Sequence, residues 1–338
     1  MSEPAPSRVR YLDFARGVAV FLMVLQHSIL VLSKNAETGN SVLGQSFLLL
    51  GTAPAAPVFL LVMGIFIGKS RSAAKNIFRR GLRLFLCGYA LNLLRFVLPA
   101  EFFCHILAAC SPDISRFWVV DIFQVAGLSM MVLALCKKIP VLNGWLIASV
   151  PVVLLISPGL WGITQGHLTQ PLWGTDPHTV YFPFFPWVIY PIIGVSLSDT
   201  LISINVHRTR CLLSVLGVAL ILLGLGSYNM FPAGDLYSRT GAAIHFAIIG
   251  FTFLWLPFCS WLHTFIQKDR RFTPIVESWS HNVTAIYCVQ WILFGWCTLI
   301  LGANQLTDIG ALAAGLMILL FSHVLCRTAF IRGAFSWI

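Results

Sequence analysis

The chain has 338 residues, of which 58% are hydrophobic and only 10% are charged, and its mean hydropathy is +0.84. Soluble domains carry roughly a quarter of their residues as charged side chains, so this composition excludes an ordinary water-soluble protein. The net charge of +10 would indicate nucleic-acid binding in a soluble protein, but most lysine and arginine residues lie in short segments between apolar runs. We therefore expect a membrane protein without a nucleic-acid partner.

Long apolar runs recur along the chain and predict its fold class. A membrane-spanning helix needs about 20 apolar residues, so short connections leave room for about ten helices and for no separate soluble domain. Barrel strands would alternate polar and apolar residues, a pattern that is missing, whereas helices satisfy their own backbone in lipid. The predicted fold is all-α, one polytopic transmembrane bundle over residues 1–338. The ten predicted segments are 11–32, 47–68, 81–100, 117–136, 141–161, 182–201, 211–230, 242–265, 276–301 and 309–330.

The basic residues predict the orientation of this bundle, because lysine and arginine are retained on the cytoplasmic side. With a cytoplasmic N-terminus and ten crossings, the outer side holds only Lys34, Arg95, Arg116 and Arg239 of the 22 basic residues. Both termini are therefore predicted to be cytoplasmic. A compact bundle without a large outer domain favours a bacterial plasma membrane.

The first predicted helix holds three ionisable residues, Asp13, Arg16 and His27. Ionisable side chains at membrane depth are costly and are functional candidates by default. A step of eleven residues returns to nearly the same helix face and advances about 16 Å, so Arg16 and His27 share one stripe. Asp13 and Arg16 could form a simple interfacial ion pair, and His27 could be a packing residue. Because imidazole titrates near neutrality, His27 is also a candidate general base.

Further polar side chains fall at membrane depth in later segments. They are Asn92, Arg95, Asp121, Gln124, His245, Tyr287 and Gln290. Asp121 could orient the His27 imidazole or bind an acceptor substrate, or it could pair with Arg116 or Arg95. Each of the others is individually more often a structural hydrogen-bonding residue than a catalytic one. Amide and guanidinium donors of this kind would nevertheless be needed to stabilise an oxyanion.

The spacing in the first helix carries a family resemblance. Arg16, ten intervening residues and His27, with Asp13 before the arginine and Gly17 directly after it, resemble the signature of the acyltransferase-3 superfamily of integral membrane acyltransferases. His27 suits this branch of membrane acyltransferases.

Three later segments are similar to the related heparan glucosaminide N-acetyltransferase branch. They read PVFLLVMG at 57–64, RRGLR at 79–83 and YFPFFPWVIYPIIG at 181–194. The proline-rich sixth segment suits this second branch, so both branches stay open. The resemblance covers most of the chain and is loose after about residue 194.

The resemblance implies transfer of an acyl group, commonly acetyl, from cytoplasmic acyl-coenzyme A to a hydroxyl or amine of an extracytoplasmic glycan. His27 would be the general base, assisted by Asp13, Arg16 and Asp121. Basic residues near the cytoplasmic face would hold the phosphates of the donor, although ordinary positive-inside topology also explains each one. These donor-binding candidates are Arg16, Lys75, Arg79, Arg80 and Arg83. The acceptor-binding candidates are Asn92, Arg95, Gln124, His245, Tyr287 and Gln290.

A second function remains compatible with the same residues. A proton-coupled carrier or a glycan or lipid translocase would use the polar stripe as a substrate path, with His27 as a proton relay. No metal is expected, and the partners are membrane lipids and a saccharide acceptor. Dimerisation, the acyl chain, the glycan, O- or N-acylation, a covalent intermediate and a disulfide between Cys104 and Cys110 stay open.

Overall fold

The structure is a computed structural model that describes residues 10–36, 41–107, 114–137, 142–161, 169–174, 179–203, 206–230, 239–266 and 272–328. Within these ranges the chain is helical, and extended pairing is limited to two isolated bridges, Ser33 with Leu306 and Val120 with Val180. The predicted all-α fold class is confirmed.

The helices follow one another with short connections. They are α1 (Arg10–Leu32), α2 (Val42–Lys69), α3 (Ala74–Asn92), α4 (Leu98–Leu107), α5 (Ile122–Cys136), α6 (Leu142–Leu160), α7 (Gln170–Trp173), α8 (Phe184–Trp187), α9 (Ile189–Ser196), α10 (Ser198–Ser203), α11 (Val206–Ser227), α12 (Ala242–Ile266), α13 (Phe272–His281), α14 (Val283–Leu301) and α15 (Asp308–Leu325).

Seven stretches of the described residues are long and apolar enough to cross a membrane. They are Arg10–Leu32, Val42–Lys69, Ala74–His105, His207–Met230, Ala242–Ile266, Val283–Leu301 and Asp308–Leu325. Three shorter apolar helices, Ile122–Cys136, Gly144–Leu160 and Phe184–Ser196, coincide with the remaining predicted segments. The protein is an integral, multi-pass membrane protein, while ten crossings and cytoplasmic termini stay predictions.

Several predicted segments are interrupted. The third continues from α3 to α4 through a π-helical turn, Leu93–Val97. The fourth begins as a helix only at Ile122, because Asp121 takes the N-cap position. The sixth breaks into α8, α9 and α10, and it has a non-helical residue at Phe185 between two prolines. The ninth divides into α13 and α14 at Asn282.

Helix α1 lies at the centre of the bundle, in contact with α2, α12, α13, α14 and α15. Its contact with α13 is close, because a Cβ on Gly17 would lie 2.1 Å from the carbonyl oxygen of Val276. Only a residue without a side chain allows this approach. The glycine of the first-helix signature therefore holds α13 against the polar stripe of α1.

A second close approach joins the two later sequence motifs. A Cβ on Gly194 of α9 would lie 2.1 Å from the carbonyl oxygen of Leu61 and 3.0 Å from the Cα atom of Gly64 on α2. A Cβ on Gly64 would in turn lie 2.2 Å from the carbonyl oxygen of Pro191. Such backbone-to-backbone contacts are how small residues join helices in membranes. The motifs at 57–64 and 181–194 thus meet at one helix crossing.

The structure gives the bonding state of eight of the nine cysteines. Cys104, in α4, is bonded in a disulfide, and Cys110, the partner that the sequence left open, lies outside the described residues. The other seven cysteines are free. Disulfides persist in oxidising compartments, which agrees with the outer location that the charge distribution predicts for this connection.

Candidate active site

A buried ion pair joins α5 to the π-helical turn after α3. A terminal guanidinium nitrogen of Arg95, Nη2, lies 2.8 Å from Oδ2 of Asp121, and their side chains are only 1% and 8% exposed. Nε and Nη2 of Arg95 also donate to Oδ1 of Asn92, at 3.2 and 2.9 Å. The pairing of Asp121 with Arg95, one of the alternatives left open by the sequence, is confirmed.

The polar residues around this pair are fully engaged with the backbone. The amide of Asn92 donates to the carbonyl oxygens of Phe117 and Val119, at 2.9 and 2.6 Å. Gln124 completes a capping box, because its Oε1 accepts from the backbone N–H of Asp121 at 3.0 Å. Asn92 and Gln124 therefore hold the start of α5 in place.

His27 of α1 lies beside the ion pair, against two aromatic side chains of α14. Its ring centroid is 4.5 Å from that of Trp291 and 6.2 Å from that of Tyr287. Asp121 and Arg95 are near enough for their charges to act on the imidazole, and Gln290 approaches it as well. Nδ1 of His27 is buried and forms no hydrogen bond to any described residue. The imidazole thus faces the interior of the bundle, among polar groups, and its catalytic role stays a prediction.

A cavity of about 540 Å³ opens between α1, α2, α3, α5 and the start of α14. Arg16 and Arg80 line it together with His281, and Tyr287 and Phe123 line it as well. The rings of Tyr287 and Phe123 contact each other, with centroids 4.7 Å apart. The cavity joins the basic residues near the predicted cytoplasmic side to the neighbourhood of His27.

Arg16 is held at this cavity by neighbours on α1 and α2. Nη1 of Arg16 lies 3.9 Å from Oδ1 of Asp13, one turn earlier in α1, which confirms the predicted local pair. The Asp13 carboxylate also accepts a hydrogen bond of 3.2 Å from the hydroxyl of Ser280. The guanidinium carbon lies 5.7 Å from the ring centroid of Phe66. Asp13 therefore positions the arginine.

Tyr287 connects the cavity to the buried polar cluster. It lines the cavity, meets the His27 ring edge-on, and its hydroxyl lies near the Asp121 carboxylate. Among the described residues that line the cavity, His27 is not found. The ring of Tyr287 accordingly lies between the open space and the imidazole.

Other predicted site residues lie further from this centre. Lys75, Arg79 and Arg83 are exposed on α3, and among the described residues that line the cavity only Arg80 represents this basic group. His245 is completely buried, and its Nδ1 lies 2.9 Å from the hydroxyl of Tyr190 on α9. Neither observation tests the predicted roles, which stay predictions.

Two residues that contact the site, Trp291 beside His27 and Ser280 beside Asp13, were not identified from the sequence. Trp291 lies four residues after Tyr287 and therefore on the same face of α14, a signal that the sequence did contain. Ser280 belongs to α13 and meets Asp13 only through tertiary packing. Among the described residues, no group of three or more His, Cys, Asp or Glu side chains could hold a metal ion.

Comparison with protein families supports the sequence resemblance. The model of the family described as "Heparan-alpha-glucosaminide N-acetyltransferase, catalytic" matches residues 8–231, which is more than half of the chain. Comparison with curated proteins found no match. The matched range holds α1, Arg80, Arg95 and Asp121, whereas α14 lies beyond it. The chain therefore belongs to the heparan-alpha-glucosaminide N-acetyltransferase catalytic family, which makes it a membrane acetyltransferase.

Proposed function

We propose that the protein transfers an acetyl group from cytoplasmic acetyl-coenzyme A to a hydroxyl or amine of a glycan on the other side of the membrane. The observation that carries this proposal is the cavity, which is lined by Arg16 and Arg80 and also by Tyr287, a contact of His27. This arrangement offers a path for a donor whose anionic end and acyl end lie far apart. The proposed setting is a bacterial plasma membrane.

The cavity fits the chemistry of the donor. Coenzyme A carries phosphate groups, and guanidinium groups bind phosphate through several N–H donors at once. Apolar walls that include Met63, Leu84 and Ala126 suit the pantetheine arm. Arg16 and His27 are separated by about 16 Å along α1, a distance that an extended arm of this kind can span. The acyl group would have to pass the ring of Tyr287.

His27 supplies the base in this proposal. The imidazole takes the proton of the acceptor hydroxyl or amine as that group attacks the thioester carbonyl carbon. The carbon–sulfur bond then breaks, and the coenzyme A thiolate takes the proton back from the imidazolium. The products are an acetylated glycan and coenzyme A. Asp121 is close enough to stabilise the imidazolium, and Arg95 in turn holds Asp121.

The test uses sealed vesicles of known orientation that contain the protein and a bacterial envelope glycan fraction. We expect label from acetyl-coenzyme A to enter the glycan only when the donor is supplied at the cytoplasmic face. We also expect micromolar coenzyme A to raise the melting temperature of the purified protein, because a ligand that binds the folded state stabilises it. Absence of both effects would favour the carrier or translocase instead.

The basic residues give a second prediction. Arg80→Gln should raise the KM for acetyl-coenzyme A at least about tenfold, because a hydrogen bond to a charged group contributes about 1.5–3 kcal/mol. The kcat should change little. Steady-state kinetics at fixed ionic strength measures both constants.

The matched control for this prediction is Arg208→Gln. Arg208 is exposed on α11 and is not among the described residues that line the cavity. If both variants change the KM equally, Arg80 contributes only to the general charge of the cytoplasmic face, and the donor site is misplaced.

A further inference from the structure

The acyl-transfer step needs hydrogen-bond donors for the oxyanion, and two of the predicted candidates already have other partners in the structure. The guanidinium of Arg95 is bound by Asp121 and Asn92. The amide of Asn92 donates to two backbone carbonyl oxygens. Groups already engaged in this way would have to break strong buried bonds before they could bind a developing charge.

Two neighbouring residues of α14, by contrast, have buried side-chain N–H groups without a regular hydrogen bond to any described residue. Gln290 is completely buried, yet neither Nε2 nor Oε1 forms a hydrogen bond of regular geometry with any described residue. Nε1 of Trp291 is also buried without such a partner, although the Tyr287 hydroxyl is close to it. Buried polar atoms normally have a partner, so these exceptions call for an explanation.

Both residues lie beside the proposed base. The ring of Trp291 has its centroid 4.5 Å from that of His27, and the Gln290 side chain approaches the same imidazole. The Trp291 ring also contacts the buried ion pair, since the guanidinium carbon of Arg95 lies 4.8 Å from the ring centroid. The indole is thus held between the base and the buried ion pair.

We infer that Gln290 and Trp291 donate the hydrogen bonds that stabilise the oxyanion of the transferred acetyl group. This inference rests on the proposed function. As the acceptor attacks, its proton passes to His27, and the carbonyl π-electron pair moves onto oxygen. The N–H groups of Gln290 and Trp291 bind that oxygen. When the carbonyl re-forms, coenzyme A leaves as thiolate and takes the proton from the imidazolium.

The physical reason is preorganisation. Donors that are already aimed into a water-poor site stabilise charge in the transition state without further reorganisation. Removal of one such donor lowers kcat about 10²- to 10³-fold in enzymes of this kind of chemistry. Both residues lie beyond residue 231, where the family match ends.

The test removes each N–H donor while the shape is kept. Trp291→Phe retains an aromatic ring against His27 and Arg95, and Gln290→Met retains a side chain of similar length. We expect each to lower kcat about 10²-fold. The KM for acetyl-coenzyme A and the affinity for a thioether analogue without a carbonyl should stay within twofold of those of the unchanged protein. Trp296→Phe, which alters an indole that packs on Phe102 of α4, is the matched control and should leave kcat unchanged.

The outcomes separate this inference from the proposed function. If kcat stays within threefold in both variants while His27→Gln is inactive, the oxyanion assignment is wrong and the base assignment stands. If analogue binding or melting temperature falls in parallel with kcat, the residues are structural and the assignment is again wrong. If His27→Gln itself retains transfer, the proposed base is wrong. Because the two variants are independent, poor folding of one leaves the other decisive.

Discussion

Replacement of His27 with glutamine should lower kcat for acetyl transfer about 10²- to 10⁴-fold, the usual contribution of a positioned general base. Glutamine keeps a polar side chain at the same place but cannot take a proton. The effect should fall on kcat, because His27 is not among the described residues that line the cavity proposed for the donor. Labelled acetyl-coenzyme A and the purified protein measure the rate, and binding of coenzyme A by thermal shift should be unchanged.

The control for this result is His207→Gln. His207 is exposed on α11, far along the chain from the polar stripe, and its Nδ1 lies 3.6 Å from the sulfur of Cys211. This variant should transfer at the normal rate. Full activity of the His27 variant would remove the imidazole from the mechanism.

Asp121→Asn should lower the free energy of unfolding by about 3–5 kcal/mol, because it leaves the buried charge of Arg95 without its counter-charge. Asparagine is as good an N-cap residue as aspartate, so the start of α5 is preserved and the charge alone is changed. Unfolding in mixed detergent micelles measures the difference. The addition of Arg95→Met to this variant should restore part of the loss, because the unpaired charge is then gone.

The exposed ion pair between Lys69 and Asp199 provides the matched control. Its side chains are 28% and 77% exposed, against 1% and 8% for Arg95 and Asp121. Asp199→Asn should therefore cost less than about 1 kcal/mol. An equal loss in the two variants would show that burial does not govern the contribution of the Arg95–Asp121 pair.

The motif residues that carry the family resemblance have identifiable positions in the structure. The first-helix signature contributes Asp13, Arg16 and His27, and the close approach at Gly17 places α13 against them. The motifs at 57–64 and 181–194 serve mainly to join α2 and α9. Thus the matched family range contains the proposed base His27, the arginines and the buried ion pair, while Tyr287, on α14 outside that range, also lines the cavity.

The amino-acid sequence by itself determined the class of protein and the contents of each helix. Apolar length predicts helices because the lipid interior leaves the backbone no other hydrogen-bond partners. Helical periodicity places Arg16 and His27 on one stripe, since that relation depends only on residues of the same helix. Both expectations hold within the described residues, and the local pair of Asp13 with Arg16 holds as well.

Only the tertiary structure decided which helix faces contact one another. Periodicity shows that Tyr287, Gln290 and Trp291 share part of α14, but it cannot show that this part meets His27, which lies more than 250 positions earlier. It likewise left open whether Asp121 pairs with Arg95, and it did not place His245 against Tyr190. The reason is that contacts between distant helices depend on close packing at their crossings, as at Gly64 and Gly194, and not on the order of residues within one helix.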